Sequence, residues 1–243
     1  MIFQFKQFAV KQQDSAMKIG TDSVLLGCYC KVHNTKYILD IGTGTGLLAL
    51  MLAQKSEALI DAVETDEAAA TEAAFNFSQS PWAHRITLYR QRIQEFKAQE
   101  KYDIIICNPP YYRHKASMSI TDQQRSMARH DKDLPFTDLL HCIQKNLNDT
   151  GTAWIILPAK EAGELLEEAV ANGLHLQHII YIHSLEHKTP NRHILVLGKT
   201  SASLTEQHMS VYDAQGNPTP EYRQLTNDYY LWKDQDTDKR LKW

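Results

Sequence analysis

From Tyr37 onward the chain alternates short apolar runs with segments of helical spacing, and this alternation restricts it to an α/β fold. The apolar runs fall at 37–41, 59–63, 86–89, 102–107 and 152–157; the helical segments fall at 47–54, 66–77, 135–147 and 160–171. A strand that is apolar on both faces needs cover on both, which helices supply in a parallel sheet. Two further runs, 176–182 and 193–198, have no helix between them, which predicts a hairpin and an antiparallel edge. The expected architecture is a mostly parallel seven-stranded sheet with an antiparallel edge hairpin and helices on both faces. Upstream, 21–29 reads as a helix capped by Thr21 or Asp22. Downstream, strand-like stretches at 209–212 and 228–232 flank the turn signal AQGNPTP.

A length of 243 residues, 43% of them hydrophobic, suits one domain. Its expected parts are an amino-terminal segment (1–35), a core (36–200) and a β extension (201–243). Cys28, Cys30, Cys107 and Cys142 form no C-x-x-C pair and no zinc-like cluster with histidine, so they read as reduced, buried thiols and no metal is expected. The opening MIFQFKQFAVKQQ lacks the charged start and apolar run of a signal peptide, and no stretch approaches the ~18 apolar residues of a membrane span. A cytoplasmic protein is expected. The net charge of −3 does not favour nucleic acid globally, so any such contact must rest on a local basic patch.

Two motifs carry chemistry. The first, Asp40-Ile41-Gly42-Thr43-Gly44-Thr45-Gly46, follows the first strand of the alternation and opens a helix. Glycines at alternate positions let the backbone turn sharply and approach a ligand closely. The spacing is G-x-G-x-G, not the G-x-G-x-x-G of dinucleotide sites. An ordinary tight turn would have the same glycines, but Glu64 adds a second mark. It ends the next strand about 20 residues on, where a carboxylate can accept from both ribose hydroxyls. Asp66 and Glu67 suit a helix start instead.

The second motif, Asn108-Pro109-Pro110-Tyr111, directly follows the 102–107 strand. An aromatic amine or amide nitrogen is a poor nucleophile because its lone pair is delocalised. The Asn108 side-chain carbonyl and the Pro109 backbone carbonyl could each accept one N–H, drawing the nitrogen toward tetrahedral geometry. The prolines stiffen the loop and so limit the entropy lost in holding that geometry. Tyr111 can stack on a planar substrate. Neither a metal nor a covalent intermediate is required.

The glycine loop resembles the cofactor loop of class I methyltransferases, and Asn108–Tyr111 resembles the motif of amino-methyltransferases acting on adenine, guanine amines or glutamine amides. FKQFAVKQQDSAMKIGTDSVLLG, DIGTGTGLLALMLAQ, AVETDEAAATEAAFNFSQSPW, ICNPPYY, KTPNRHILVLGK and TPEYRQLTNDYYL resemble the bacterial tRNA1(Val) (adenine-37-N6)-methyltransferases over nearly the whole chain. That resemblance implies a Rossmann-like fold, S-adenosylmethionine as cofactor and methylation of the adenine 3′ of the anticodon in a valine tRNA. It places Lys18, Gly20, Thr21 and Asp22 over the methionine end of the cofactor, beside Asp40, Gly42, Gly44, Gly46 and Asn108. Where many class I enzymes end their third strand in an acid or amide near the cofactor adenine, this chain reads YRQRIQEF; the backbone groups of Arg92 and Ile93 are the candidates there.

For RNA the candidates are Tyr111, Tyr112, Arg113, Lys115, Arg125, Arg129 and Lys132, opposed only by Asp122 and Asp131. An anticodon-loop adenine is unpaired, so flipping it costs less than in a duplex. Lys6 and Lys11, interleaved with Phe3, Phe5 and Phe8, read either as core packing or as further RNA contacts. Among rivals, a protein glutamine methyltransferase needs a helical amino-terminal domain that residues 1–35 cannot supply, and a DNA enzyme needs a larger recognition region than the tail after Gly198. A ribosomal RNA amine is a further alternative, and a non-enzymatic sensor is disfavoured by the intact Asn108–Tyr111 motif.

Overall fold

The computed structural model describes residues 1–13, 15, 18–109 and 134–232. A separate antiparallel hairpin, β1 (Ile2–Gln4) with β2 (Ala9–Lys11), precedes the main sheet. The sheet comprises β3 (Tyr37–Ile41), β4 (Leu59–Glu64), β5 (Ile86–Arg90), β6 (Tyr102–Cys107), β7 (Leu147–Pro158), β8 (His175–Leu185), β9 (Arg192–Gly198) and β10 (Thr205–Tyr212). Its order is β10-β8-β9-β7-β6-β3-β4-β5. β7, β6, β3, β4 and β5 run parallel, and β9 is antiparallel to both β7 and β8.

The chain builds outward from β3 to β4 and β5, then returns to lay β6 on the other side of β3. The strand order therefore reverses between β3 and β6. In open α/β sheets that reversal leaves a crevice at the carboxyl ends of the strands, where ligands bind.

Helices cover both faces. α1 (Thr21–Tyr29), α2 (Leu47–Lys55), α3 (Glu67–Ser78) and α6 (Pro220–Thr226) bury one core, with Leu25, Leu50, Phe77, Ile104 and Ile182 in it. α4 (Phe136–Asn146) and α5 (Ala159–Ala169) bury the other, with Leu39, Ile105, Leu140, Leu165 and Leu195. β3 reads as continuously apolar because Ile38 enters the first core and Leu39 the second. Each such side chain contributes about 1.5–3 kcal/mol by leaving water. Among the described residues no helix is long and apolar enough to cross a membrane.

Three expectations change. The sheet has eight strands, not seven: beyond the expected hairpin, β10 pairs parallel with β8. The stretch 228–232 is not a strand. Thr219 caps α6 by accepting from the Tyr222 amide at 3.1 Å, with Pro220 as its first residue, and the aromatics that follow pack on the amino-terminal hairpin. α1 is capped by Gly20 without a side-chain hydrogen bond, while Thr21 and Asp22 are buried in its first turn. The aromatics of the opening segment follow the core-packing reading: Phe5 and Phe8 are buried and stacked at 4.6 Å, and half-buried Phe3 packs against them.

Candidate active site

Register alone brings the two motifs together. Ile41 on β3 pairs with Cys107 on β6 and with Val63 on β4. Gly42, Asn108 and Glu64, each the next residue along, therefore leave the sheet side by side at the carboxyl edge, on strands about 4.8 Å apart.

The glycine loop is held from below and from the side. Gly42 and Thr43 both donate backbone N–H groups to the Val63 carbonyl, at 2.9 and 3.1 Å. Asp40 is fully buried; its Oδ2 accepts from Thr43 Oγ1 at 2.5 Å and from the Ala49 amide at 3.1 Å. Burial pushes its carboxyl from 3.8 up to about 7; the Glu64 charge adds to the rise and those two hydrogen bonds oppose it. Glu64 is also buried. Its Oε2 accepts from the Gly44 amide, and its Oε1 from the amides of Thr65 and Asp66, each at 2.8 Å. One of the roughly four acceptor directions of this carboxylate is left over.

Gly46 is required twice over: its φ is +87°, and a Cβ there would lie 2.4 Å from Phe77 Cε1. Gly42 and Gly44 also have positive φ, but an added Cβ would meet nothing within 4 Å. The outer side of the loop is thus open, as a cofactor resting on its backbone needs.

Asn108 donates from Nδ2 to Ser23 Oγ on α1 at 2.8 Å, and its Oδ1 is buried with no hydrogen-bond partner among the described residues. A buried carbonyl oxygen costs free energy unless something donates to it. An amine N–H is such a donor. Pro109 is buried beside it. Cys107, one residue earlier, is pushed well above the usual thiol range by burial, then by the charges of Asp40 and Glu64. It stays a protonated thiol and offers no nucleophile.

The amino-terminal motif is tied to this assembly through α3. Asn76 bonds both the amide and the carbonyl of Lys11, at 2.8 and 3.0 Å, and donates to the Thr45 carbonyl of the glycine loop at 2.9 Å. Glu72, one helical turn earlier, accepts from the amides of Gln13 and Ser15. Lys18 draws its ammonium onto the carbonyls of Gln12, Gln13 and Ser15, at 2.8–3.1 Å. Asp22 accepts from Arg192 Nε of β9 at 2.8 Å. Ser23, Glu72 and Asn76 carry no glycine- or proline-like signal. The visible clue was a polar pair four residues apart on an alanine-rich helix, and for Ser23 its place directly after Asp22.

Arg92 is exposed at the start of a 3-10 turn just past β5, and the Ile93 side chain is committed to the core. The Arg92 and Ile93 carbonyls accept from the Glu95 and Phe96 amides at 3.1 and 3.2 Å, so their amides are the backbone candidates for a ligand. Tyr111, Tyr112, Arg113, Lys115, Arg125, Arg129 and Lys132 lie outside the described residues. The residues present fit S-adenosylmethionine: a carboxylate at the strand edge for the ribose, an open glycine backbone beside it, and an orphaned carbonyl oxygen where a methyl acceptor would sit. Among the described residues no group of three or more His, Cys, Asp or Glu side chains could hold a metal ion.

Comparison with known proteins identifies the family. Residues 11–134 match the methyltransferase small domain family. A tRNA1(Val) (adenine(37)-N6)-methyltransferase of Tolumonas auensis is 40% identical over 231 residues, covering 94% of this chain and 96% of the relative. The protein of the same name from Bacteroides thetaiotaomicron is 40% identical, covering 94% and 97%. Among solved structures, an Agrobacterium tumefaciens protein described as a predicted O-methyltransferase superposes with a TM-score of 0.63 at 18% identity, over 86% of this chain and 96% of that one. The glycopeptide N-methyltransferase MtfA, solved with S-adenosylmethionine, gives 0.56 at 10% identity, over 76% and 96%. Those two likenesses concern the fold; the sequence relatives, matched across nearly their whole length, show that the chain belongs to the tRNA1(Val) (adenine(37)-N6)-methyltransferase family.

Proposed function

We propose that this protein transfers a methyl group from S-adenosylmethionine to the N6 amine of an adenine in tRNA, at position 37 beside the anticodon of a valine tRNA. The observation that carries the reading is Asn108 Oδ1, a buried acceptor without a partner among the described residues, at the edge of the glycine-lined crevice. The relatives' shared name supplies the substrate.

S-adenosylmethionine supplies an electrophilic methyl group on a sulfonium. Glu64 accepts a ribose hydroxyl, Gly42 and Gly44 let the cofactor rest on the loop backbone, and Lys18, Thr21 and Asp22 close over its methionine end. Asp40 and Gly46 hold the loop, and the backbone of Arg92 and Ile93 meets the adenine ring. The target amine donates one N–H to Asn108 Oδ1 and another to the Pro109 carbonyl. Its lone pair would then face the methyl carbon: as the N–C bond forms the C–S bond breaks, S-adenosylhomocysteine leaves, and the methylated amine sheds one proton to solvent. Positioning accelerates the reaction. Tyr111 stacks on the flipped base, and Tyr112, Arg113, Lys115, Arg125, Arg129 and Lys132 grip the anticodon loop. The protein acts as one domain in the cytoplasm, where its RNA substrate resides.

The test is incubation with methyl-labelled cofactor and unmodified valine tRNA, followed by nucleoside analysis. The expected product is N6-methyladenosine at position 37. Label appearing only in a protein glutamine amide or in another nucleoside would refute the assignment.

A further inference from the structure

The first turn of α1 is anchored on two sides. Asp22 receives Arg192 Nε from the start of β9 at 2.8 Å, with both side chains largely buried. Ser23, the next residue, receives Asn108 Nδ2 from the end of β6 at 2.8 Å. Arg192 pairs with Pro158 on β7, and β7 lies next to β6. The helix turn is thus bolted to the same sheet edge that carries Asn108, on either side of β7.

A carboxamide presents a carbonyl oxygen at one end and two N–H donors at the other, and its terminal torsion is soft. Only the oxygen can receive the N–H of a target amine; the amide nitrogen would oppose it donor to donor. Donation from Nδ2 to Ser23 Oγ, carried on the anchored helix turn, holds the plane of the carboxamide and leaves Oδ1 as the other end, buried and with no partner among the described residues.

We infer that Ser23 is a positioning residue for methyl transfer. It presets the Asn108 carboxamide so that its oxygen meets the substrate amine, while the Asp22–Arg192 pair holds the helix turn from which Ser23 acts. The inference rests on the reading of Asn108 as the amine acceptor. Ser23 itself touches neither cofactor nor amine in this scheme.

Single-turnover methyl transfer to tRNA, with cofactor affinity measured by calorimetry, compares wild type with Ser23→Ala, Ser23→Thr and Asn108→Ala, alone and combined. Ser23→Ala should slow transfer about 3- to 10-fold with cofactor affinity unchanged, and Ser23→Thr should restore the rate. In an Asn108→Ala background, Ser23→Ala should cost nothing further; a role in fold integrity would multiply the two losses. A wild-type rate in Ser23→Ala, or independent losses in the double variant, overturns the inference while leaving the acceptor role of Asn108 intact. A second readout needs no turnover and so stands apart from the substrate assignment. The Asn108 side-chain amide protons, identified by NMR through their loss in Asn108→Ala, should exchange about tenfold faster in Ser23→Ala; unchanged exchange also overturns the inference.

Discussion

Asn108 and Ser23, 85 residues apart in sequence, meet at 2.8 Å, the amide nitrogen of one donating to the hydroxyl of the other. The contact links the end of β6 to the first turn of α1, two elements on different layers of the fold. It shows how the site is assembled: one strand end from each side of the sheet reversal, with the first turn of α1 tied to the β6 end.

Glu64 has two tasks that one substitution exposes together. Its carboxylate ties down the amides of Gly44, Thr65 and Asp66 and retains one acceptor direction for a ribose hydroxyl. Glu64→Ala should weaken cofactor binding at least tenfold by calorimetry. It should also lower unfolding stability by about 1–3 kcal/mol, because three donors lose their partner. Unchanged affinity would remove Glu64 from the cofactor site.

Asp40 gives a pH dependence of definite sign. Its carboxyl titrates at about 7 when folded against 3.8 ordinarily, so between those values the folded chain holds a proton that the unfolded chain has released. The stabilisation is fully present below pH 3.8 and is lost as pH rises through about 7. Relative to Asp40→Asn, the unliganded wild type should lose about 1–4 kcal/mol across that window in denaturant titrations. Parallel curves for the two proteins would contradict the burial account.

Gly46→Ala combines a left-handed backbone with a Cβ 2.4 Å from the Phe77 ring. It should destabilise the fold by about 2–4 kcal/mol. Adding Phe77→Leu should recover part of this by relieving the clash, but not the backbone strain. The check is the midpoint of chemical denaturation for the single and double variants.

The basic stretch around Arg125 and Arg129 should contribute salt-sensitive RNA affinity. Neutralising both should weaken tRNA binding at every salt concentration and reduce the slope of log affinity against log salt by roughly 1–2. A slope equal to that of wild type would place the phosphate contacts elsewhere.

The strands of the parallel core were legible because β3, β4 and β6 are apolar toward two cores at once, which leaves little room for another reading. The adjacency of Asn108 and the glycine loop was not legible from either motif, since it follows from β6 returning beside β3. The end of the eighth strand was legible at 209–212, but its first half and its place in the sheet were not, and the tail at 228–232 was misread. β10 has mixed burial and pairs on only one side, so its pattern is weak. In 228–232, buried aromatics imitate strand alternation while they pack against the amino-terminal hairpin; the Thr219-Pro220 pair was the helix signal to read. Glu72 and Asn76 escaped notice because polar residues on a helix usually face water, whereas these are buried and bond the backbone of another segment.

The most direct measurement is single-turnover methyl transfer by Asn108→Ala, with cofactor affinity measured in parallel. Losing the acceptor that turns the amine toward the methyl group should slow transfer about 10²–10³-fold, the range for one transition-state hydrogen bond, while cofactor affinity stays within a few-fold of wild type. Transfer at a near-normal rate would contradict the account.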